Sequence, residues 1–228
     1  FGDLIAVDNL NLSIEKGELF SLLGLNGAGK TTTIKMLSCL IRPTSGDATI
    51  LNKNLIKDAQ FIKQRLNVSP QETAVAPKLS VSENLKMIAG ICGINKEIIS
   101  HKVDEMISVF KLADVQTKKA KLLSGGIQRR LSIAMALITE PEILFLDEPT
   151  LGLDVIARRE LWAIIKKLKE NTTIILTTHY LEEVEALSDR VAIMQKGKIK
   201  AIGTVEELLK QTSSKSLEDA FVLFNEKV

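Results

Sequence analysis

The sequence predicts an α/β fold: a mixed central sheet flanked by helices, an antiparallel β subdomain and an inserted helical subdomain. Three observations predict it. Apolar runs of strand length alternate with segments of helical spacing, the pattern of a layered sheet. Near the start, Leu10, Leu12 and Ile14 alternate with polar residues, a half-buried strand that Glu15-Lys16-Gly17 turns into the next one, so the sheet begins antiparallel. From about Thr73 to Leu122 strand signals are scarce and helical periodicity dominates, which marks an insert. A length of 228 residues suits one large domain, or one domain with a subdomain, and can bury a good core.

The elements follow in order. The apolar run Leu19-Phe20-Ser21-Leu22-Leu23 reads as a strand, and Ile34, Leu37 and Ile41 mark a helix that Pro43-Thr44-Ser45-Gly46 ends. Ala48 to Leu51 and Leu66 to Ser69 read as short strands, followed by an irregular region with Pro70, Gln71 and Pro77. Ser80-Val81-Ser82-Glu83 forms a capping box for a helix that turns Val81, Leu85 and Ile88 inward. Gly90, Gly93 and Asn95 punctuate it, and Val103, Met106, Ile107 and Phe110 fit i, i+3, i+4, i+7 of a second helix. Another opens at Leu123-Ser124-Gly125-Gly126, carries Leu131, Ala134 and Ile138, and stops at Glu140-Pro141.

Ile143-Leu144-Phe145-Leu146 is continuously apolar, as in a parallel strand covered on both faces, and ends in Asp147-Glu148. Leu161, Ile164, Ile165 and Leu168 mark a helix, Thr173 to Thr177 a strand ending near His179, and Leu181, Val184 and Leu187 a helix leading to strand Val191 to Met194. Lys196-Gly197 turns into Ile199 to Ile202, and a helical tail occupies 205–228.

Composition excludes little. Hydrophobic residues at 45% and charged residues at 25% are ordinary for a globular domain, and a net charge of +2 gives no reason to expect nucleic acid or anionic lipid as the main partner. No apolar run approaches the ~20 residues of a membrane span, and no signal-peptide pattern is present. The chain begins at Phe1 without a methionine, which leaves room for a trimmed terminus and a missing strand. Cys39 and Cys92 lie in apolar surroundings without C-x-x-C spacing and read as buried small hydrophobes.

The chemistry centres on Gly24-Leu25-Asn26-Gly27-Ala28-Gly29-Lys30-Thr31-Thr32. It fits G-x-x-x-x-G-K-[ST] between a strand and a helix, the context a phosphate-binding loop requires and the mark of a P-loop NTPase fold. Glycines let backbone N–H groups close on phosphate at a helix N-terminus; Lys30 supplies a point charge, and the Thr31 hydroxyl can ligate Mg²⁺. This implies a nucleoside triphosphate. Such a site needs an acidic residue on a neighbouring strand to hold Mg²⁺ and a group to orient the attacking water. Asp147 is placed for the first task and Glu148, one residue on, for the second. Ser124-Gly125-Gly126 at a helix start is a second possible anion site, although Ser-Gly-Gly by itself caps many helices.

Leu123-Ser124-Gly125-Gly126-Ile127-Gln128 resembles the signature motif of ATP-binding cassette (ABC) ATPases, just upstream of Asp147 as in that family. Gln71 is similar to the family's Q-loop glutamine, Leu151-Gly152-Leu153-Asp154 to its D-loop and His179 to its switch histidine, and the match runs over essentially the whole chain in family order. The resemblance implies that Asn26, Gly27, Ala28, Gly29, Lys30, Thr31 and Thr32 wrap the phosphates of ATP. It implies that Thr31 and Gln71 reach Mg²⁺ with Asp147 holding it through water, that Glu148 polarises the attacking water and that His179 contacts the γ-phosphate. Ser124, Gly125 and Gly126 would face ATP held by a second nucleotide-binding domain, Asp154 would communicate across that interface, and Phe1 is the candidate adenine-stacking aromatic. The chain departs from the family at Ile127, where many members have Gln, and at Leu151, where a small residue is common.

The stretch Thr178 to Arg190, Gly203-Thr204 and the tail Ser216 to Phe221 resemble the ATPase subunits of daunorubicin-type (ABC-2) drug-resistance exporters. The resemblance implies a single cassette over 1–228, with the helical insert at about 73–122, peripheral on the cytoplasmic face of a membrane. It also implies a membrane-spanning partner and no direct nucleic acid; separately, the irregular segment from Gln71 to Glu83, beside the helical insert, is the expected docking surface. The runner-up is a soluble cassette ATPase acting on ribosomes or DNA, but such proteins usually fuse two cassettes or carry long coiled-coil arms. Outside these motifs, His101, Trp162, the Lys118-Lys119-Lys121 run and the Arg129-Arg130 pair read as surface or packing residues, the arginines as a solvated helix face or a partner contact.

Overall fold

The computed structural model describes residues 5–226. Strands β1 (Leu19–Leu23), β4 (Leu66–Ser69), β5 (Ile143–Asp147), β6 (Thr173–Thr178), β7 (Arg190–Gln195) and β8 (Lys198–Gly203) form one sheet in the order β4-β5-β6-β1-β7-β8. All neighbours are parallel except β7 and β8. The hairpin between these two turns at Lys196 (φ 47°) and Gly197 (φ 78°), the positive-φ pair that matches strand twist. Strands β2 (Thr49–Ile50) and β3 (Lys53–Asn54) make a separate antiparallel pair. The sheet is mixed, as the sequence predicts.

Strands β1, β5 and β6 are buried along their whole length, which is why they read as largely apolar runs. Their side chains alternate between two layers. Leu19, Leu144, Leu146, Ile174 and Leu176 face a helical layer built from α3 (Val81–Ile91), α4 (Lys96–Val109), α5 (Gly125–Leu137) and α6 (Val155–Leu168). Phe20, Leu22, Phe145 and Ile175 face the opposite side with Ile34 of α1 (Lys30–Leu37) and Ile62 of α2 (Ala59–Lys63). A third cluster seats α7 (Leu181–Leu187), α8 (Val205–Thr212) and α9 (Leu217–Glu226) against Leu23, Val191 and Ile193.

Between Thr73 and Leu122 the chain forms α3, α4 and two single 3-10 turns at Ala113–Val115 and Ala120–Leu122. The capping box at the start of α3 is made as the sequence requires. Glu83 N–H donates to Ser80 Oγ at 3.2 Å, and Ser80 N–H donates to Glu83 Oε2 at 2.7 Å. The Ser80 N–H, and after it the Ser80 hydroxyl, hold the Glu83 carboxyl below its ordinary range.

The structure corrects several local expectations. Leu10, Leu12 and Ile14 pack on the cluster around Phe20 and Leu22 but form no strand. Alternation reports burial on one side; a strand also needs a neighbour with free N–H and C=O groups, and β2 and β3 pair only with each other. Gly90 lies inside α3 and does not break it, because the helix is held by packing of Leu85 and Ala89 on its other face. Cys92 is exposed at the end of α3, and only Cys39 is partly buried, which pushes its thiol up. The short helix α2, absent from the sequence reading, is one turn too brief to show periodicity. Among the described residues no helix is long and apolar enough to cross a membrane.

Phe145 is fully buried on a central strand. Replacing it by alanine is expected to cost about 3–5 kcal/mol in denaturant unfolding of the chain; a loss below about 1 kcal/mol would mean that this layer is not part of the cooperative core.

Candidate active site

Four neighbouring parallel strands, β4, β5, β6 and β1, end on the same edge of the sheet, where ligands of open α/β sheets bind. Gln71 follows β4, Asp147 and Glu148 end β5, His179 follows β6, and the glycine loop follows β1. Adjacent strands lie ~4.8 Å apart, so these groups meet although they are far apart in the chain.

The glycines of the loop have distinct reasons. A Cβ on Gly24 would sit 2.5 Å from the Met194 carbonyl oxygen at the end of β7. Gly29 precedes α1 at φ 101°, where a Cβ would also lie 2.5 Å from the Ala6 carbonyl oxygen. The loop thus delivers the uncapped N–H groups of α1 to a cavity of about 770 Å³, a size suited to a nucleotide. Asn26, Gly27, Ala28, Gly29, Lys30, Thr31, Thr32, Gln71, Glu148 and His179 all line it. Ile5, Ala6, Leu151 and Lys196 also line it; the sequence reading assigned none of them to the nucleotide site, placing Leu151 in the D-loop and Lys196 in a hairpin turn. Phe1 lies outside the described residues.

Three charged or titratable side chains form a chain across the floor. Lys30 Nζ donates to the Gly24 carbonyl at 2.6 Å and lies 3.2 Å from Glu148 Oε1, with both side chains 6% exposed. The other carboxylate oxygen of Glu148 is 2.9 Å from His179 Nδ1. With Glu148 ionised, Nδ1 must carry the proton, which leaves Nε2 free for another partner. Glu148 adopts φ 47°, rare for a residue with a Cβ, and its N–H is anchored to the Thr177 carbonyl and hydroxyl. Asp147 is buried beside it and accepts from the hydroxyls of Thr31, at 3.2 Å, and Thr177. A hydroxyl and a carboxylate this close form a hard oxygen donor set, which fits Mg²⁺ carried in with phosphates.

The structure does not bring Ser124, Gly125 and Gly126 into this cavity. Ser124 and Gly125 are exposed at the start of α5, and the Ser124 hydroxyl does not cap the helix. Gly126 is the point where α5 closes on α6; a Cβ there would lie 3.1 Å from the Ala157 Cβ. Asp154 is exposed and caps α6, accepting from Ile156 and Ala157 N–H at 2.9 Å each.

Arg129 corrects the reading of a solvated face: it is 4% exposed, and its guanidinium bonds main-chain carbonyls of Pro70, Gln71, Asp147 and Pro149. Burial lowers its pKa to about 10, opposed by the charges of Asp147, Glu183 and Glu148, so it stays protonated at neutral pH. Arg130 is bonded to Glu160 of α6. Trp162 has a polar task as well: its Nε1–H donates at 3.0 Å to Glu183, a fully buried carboxyl pushed up by desolvation. The available signal was α5 itself. From Leu131 to Ile138 every residue is buried, so an arginine in its first turns had to find buried partners.

A family model described as ABC transporter matches residues 7–151. The chain belongs to the ABC transporter family. This cassette is 37% identical over 219 residues to the daunorubicin resistance ATP-binding protein DrrA3 of Streptomyces coeruleorubidus, covering 96% of the chain and 69% of that protein. It is 41% identical over 202 residues to the human phospholipid-transporting ATPase ABCA3, covering 89% of the chain but 12% of that protein's length. Its fold matches the dimeric structure of a post-hydrolysis state of an ATP-binding cassette bound to ADP and Pi, with TM-score 0.79 and 26% identity over 89% of this chain and 91% of that one.

Lys30→Ala removes the loop's point charge and leaves the buried Glu148 without its cation. The cassette is expected to lose tight ATP binding in a fluorescent-nucleotide titration of the folded variant; an affinity equal to that of the unsubstituted chain would refute the phosphate assignment.

Proposed function

We propose that this chain is the ATP-hydrolysing motor of a membrane exporter, working as a pair of cassettes that close on ATP and separate after hydrolysis. One observation carries the reading. A phosphate loop, a buried carboxylate at a strained position and a histidine meet in one cavity, while Ser124 and Gly125 at the start of α5 stand exposed outside it. The cavity is thus half of a site whose other half faces away, which a second cassette can complete head to tail.

In this reading the N–H groups after Gly27 and the Lys30 ammonium hold the outer phosphates. Lys30 swings from Gly24 and Glu148 onto phosphate, which frees a Glu148 oxygen to accept a proton from water in line with the γ-phosphate. His179 keeps the other oxygen oriented, and Nε2 is available to the γ-phosphate. Thr31, Asp147 and Gln71 would hold Mg²⁺, which when bound offsets charge developing on the phosphates. Ser124, Gly125 and Gly126 would offer the uncapped N–H groups of α5 to the γ-phosphate of the partner's ATP.

Export, a membrane-spanning partner and a place on the cytoplasmic face are inferred from the names of the relatives and from the fact that transport needs a membrane path. The irregular segment from Gln71 to Glu83, beside the helical insert, is the proposed docking surface.

Glu148→Gln keeps the shape of the side chain but removes the base. It is expected to bind ATP and accumulate as a dimer while hydrolysis falls about 100-fold or more; near-normal turnover would sink the base assignment. Affinity purification of the tagged chain from detergent-solubilised membranes should bring down a multi-span protein. Recovery with ribosomes or DNA instead would point to a cassette ATPase without a transport role.

A further inference from the structure

Arg129 sits one turn into α5, just past Ser124-Gly125-Gly126, and its side chain leaves that helix for the catalytic edge of the sheet. All three of its guanidinium nitrogens donate to main-chain oxygens. Nε–H donates to the Pro149 carbonyl at 2.9 Å, Nη2–H to the Asp147 carbonyl at 2.8 Å, and Nη1–H to the carbonyls of Pro70 and, at 3.4 Å, Gln71. Two of these carbonyls belong to the residues on either side of Glu148. Glu148 is itself the residue held at φ 47°, a conformation that persists only where surrounding contacts over-determine it. From one side that determination comes from Thr177, which bonds the Glu148 N–H; from the other it comes from the Arg129 fork. The same fork holds the backbone at Pro70 and Gln71, so two separate segments, 70–71 and 147–149, converge on one cation carried by α5.

We infer that Arg129 is a positioning residue for hydrolysis: it clamps the carbonyls of the two residues flanking Glu148, and the Gln71 backbone, to α5, so that movement of the helix start that meets a partner's nucleotide is transmitted to the base. The inference rests on the reading of Glu148 as the group that activates water. A planar five-donor fork is needed for this. Lysine keeps the charge and much of the volume but offers a single point of donation, so it cannot hold both carbonyls around Glu148 and the Gln71 backbone at once.

The test compares Arg129→Lys, Arg129→Gln, Glu148→Gln and the Arg129→Lys/Glu148→Gln pair in the full chain. It measures ATPase kcat and KM, ATP affinity by direct titration, and thermal unfolding. The expected result is that Arg129→Lys folds, binds ATP within about threefold of the unsubstituted chain, and loses about 10- to 100-fold in kcat. In the Glu148→Gln background the same change should cost little more, because the group it aims is gone. If Arg129→Gln does not fold, Arg129→Lys decides. Turnover of folded Arg129→Lys within twofold of normal, or a loss that simply multiplies with that of Glu148→Gln, would overturn the inference while leaving Glu148 in its role. Near-normal turnover of Glu148→Gln alone would overturn both.

Discussion

Lys30 and Glu148 come from the ends of two strands separated in the sheet by a third, and their charges meet at 3.2 Å in a site where neither is exposed to water. Removing water from an ammonium and a carboxylate is costly unless they pair, and losing one partner leaves a buried charge uncompensated. This pair can form only if β1 and β5 run parallel on either side of β6, with their carboxyl ends level. The register delivers that: Leu23 stands opposite Thr178, and Asp147 opposite Thr177. The rest of the molecule follows from keeping those strands in place, with helical layers on both faces excluding water from the apolar runs that set the order.

The same edge of the sheet carries further buried charges. Asp147 shares its carboxylate between two threonine hydroxyls, Arg129 gives its guanidinium to main-chain oxygens, and Glu183 lies beneath Trp162. Each is a polar group that burial would penalise without a partner, and each ties one element to the next: α1 to β5, α5 to the ends of β4 and β5, α6 to α7. Arg158 of α6 adds an outer link, its guanidinium within cation–π range of the rings of Trp162 and Tyr180, the residue next to His179. Side chains on α5 and α6, the helices that begin at the exposed Ser124 and Asp154, therefore reach the backbone and rings around Glu148 and His179. In the proposed motor, that connectivity would let closure on a partner be felt at Glu148 and His179.

The sequence reading succeeded where burial is symmetric and failed where it is not. β1, β5 and β6 are covered on both faces, so their sequences are mostly apolar, broken only by Ser21 and by polar residues at the ends of β5 and β6, and their character is unmistakable. Leu10, Leu12 and Ile14 show the alternation of a strand, and the half-burial it implies is present, yet no strand forms because pairing depends on a neighbour that alternation says nothing about. Gly90 looked like a break, but helix α3 is held by the packing of Val81, Leu85 and Ala89, which outweighs one unfavourable residue.

The chain's own letters determined the chemistry that depends on residue type at fixed spacing. These were the glycines before Lys30, the hydroxyl of Thr31, the acidic pair closing an apolar strand and a mixed α/β sheet to carry them. Tertiary structure alone decided which atoms face one another. It paired Lys30 with Glu148 and Glu148 with His179, left Ser124 outside the cavity, and turned Arg129 inward. The physical reason is that Arg129 is recognised by main-chain carbonyls. Every residue has such an oxygen, so no spacing or residue type announces it, and only the fold brings Pro70, Asp147 and Pro149 within reach of one guanidinium.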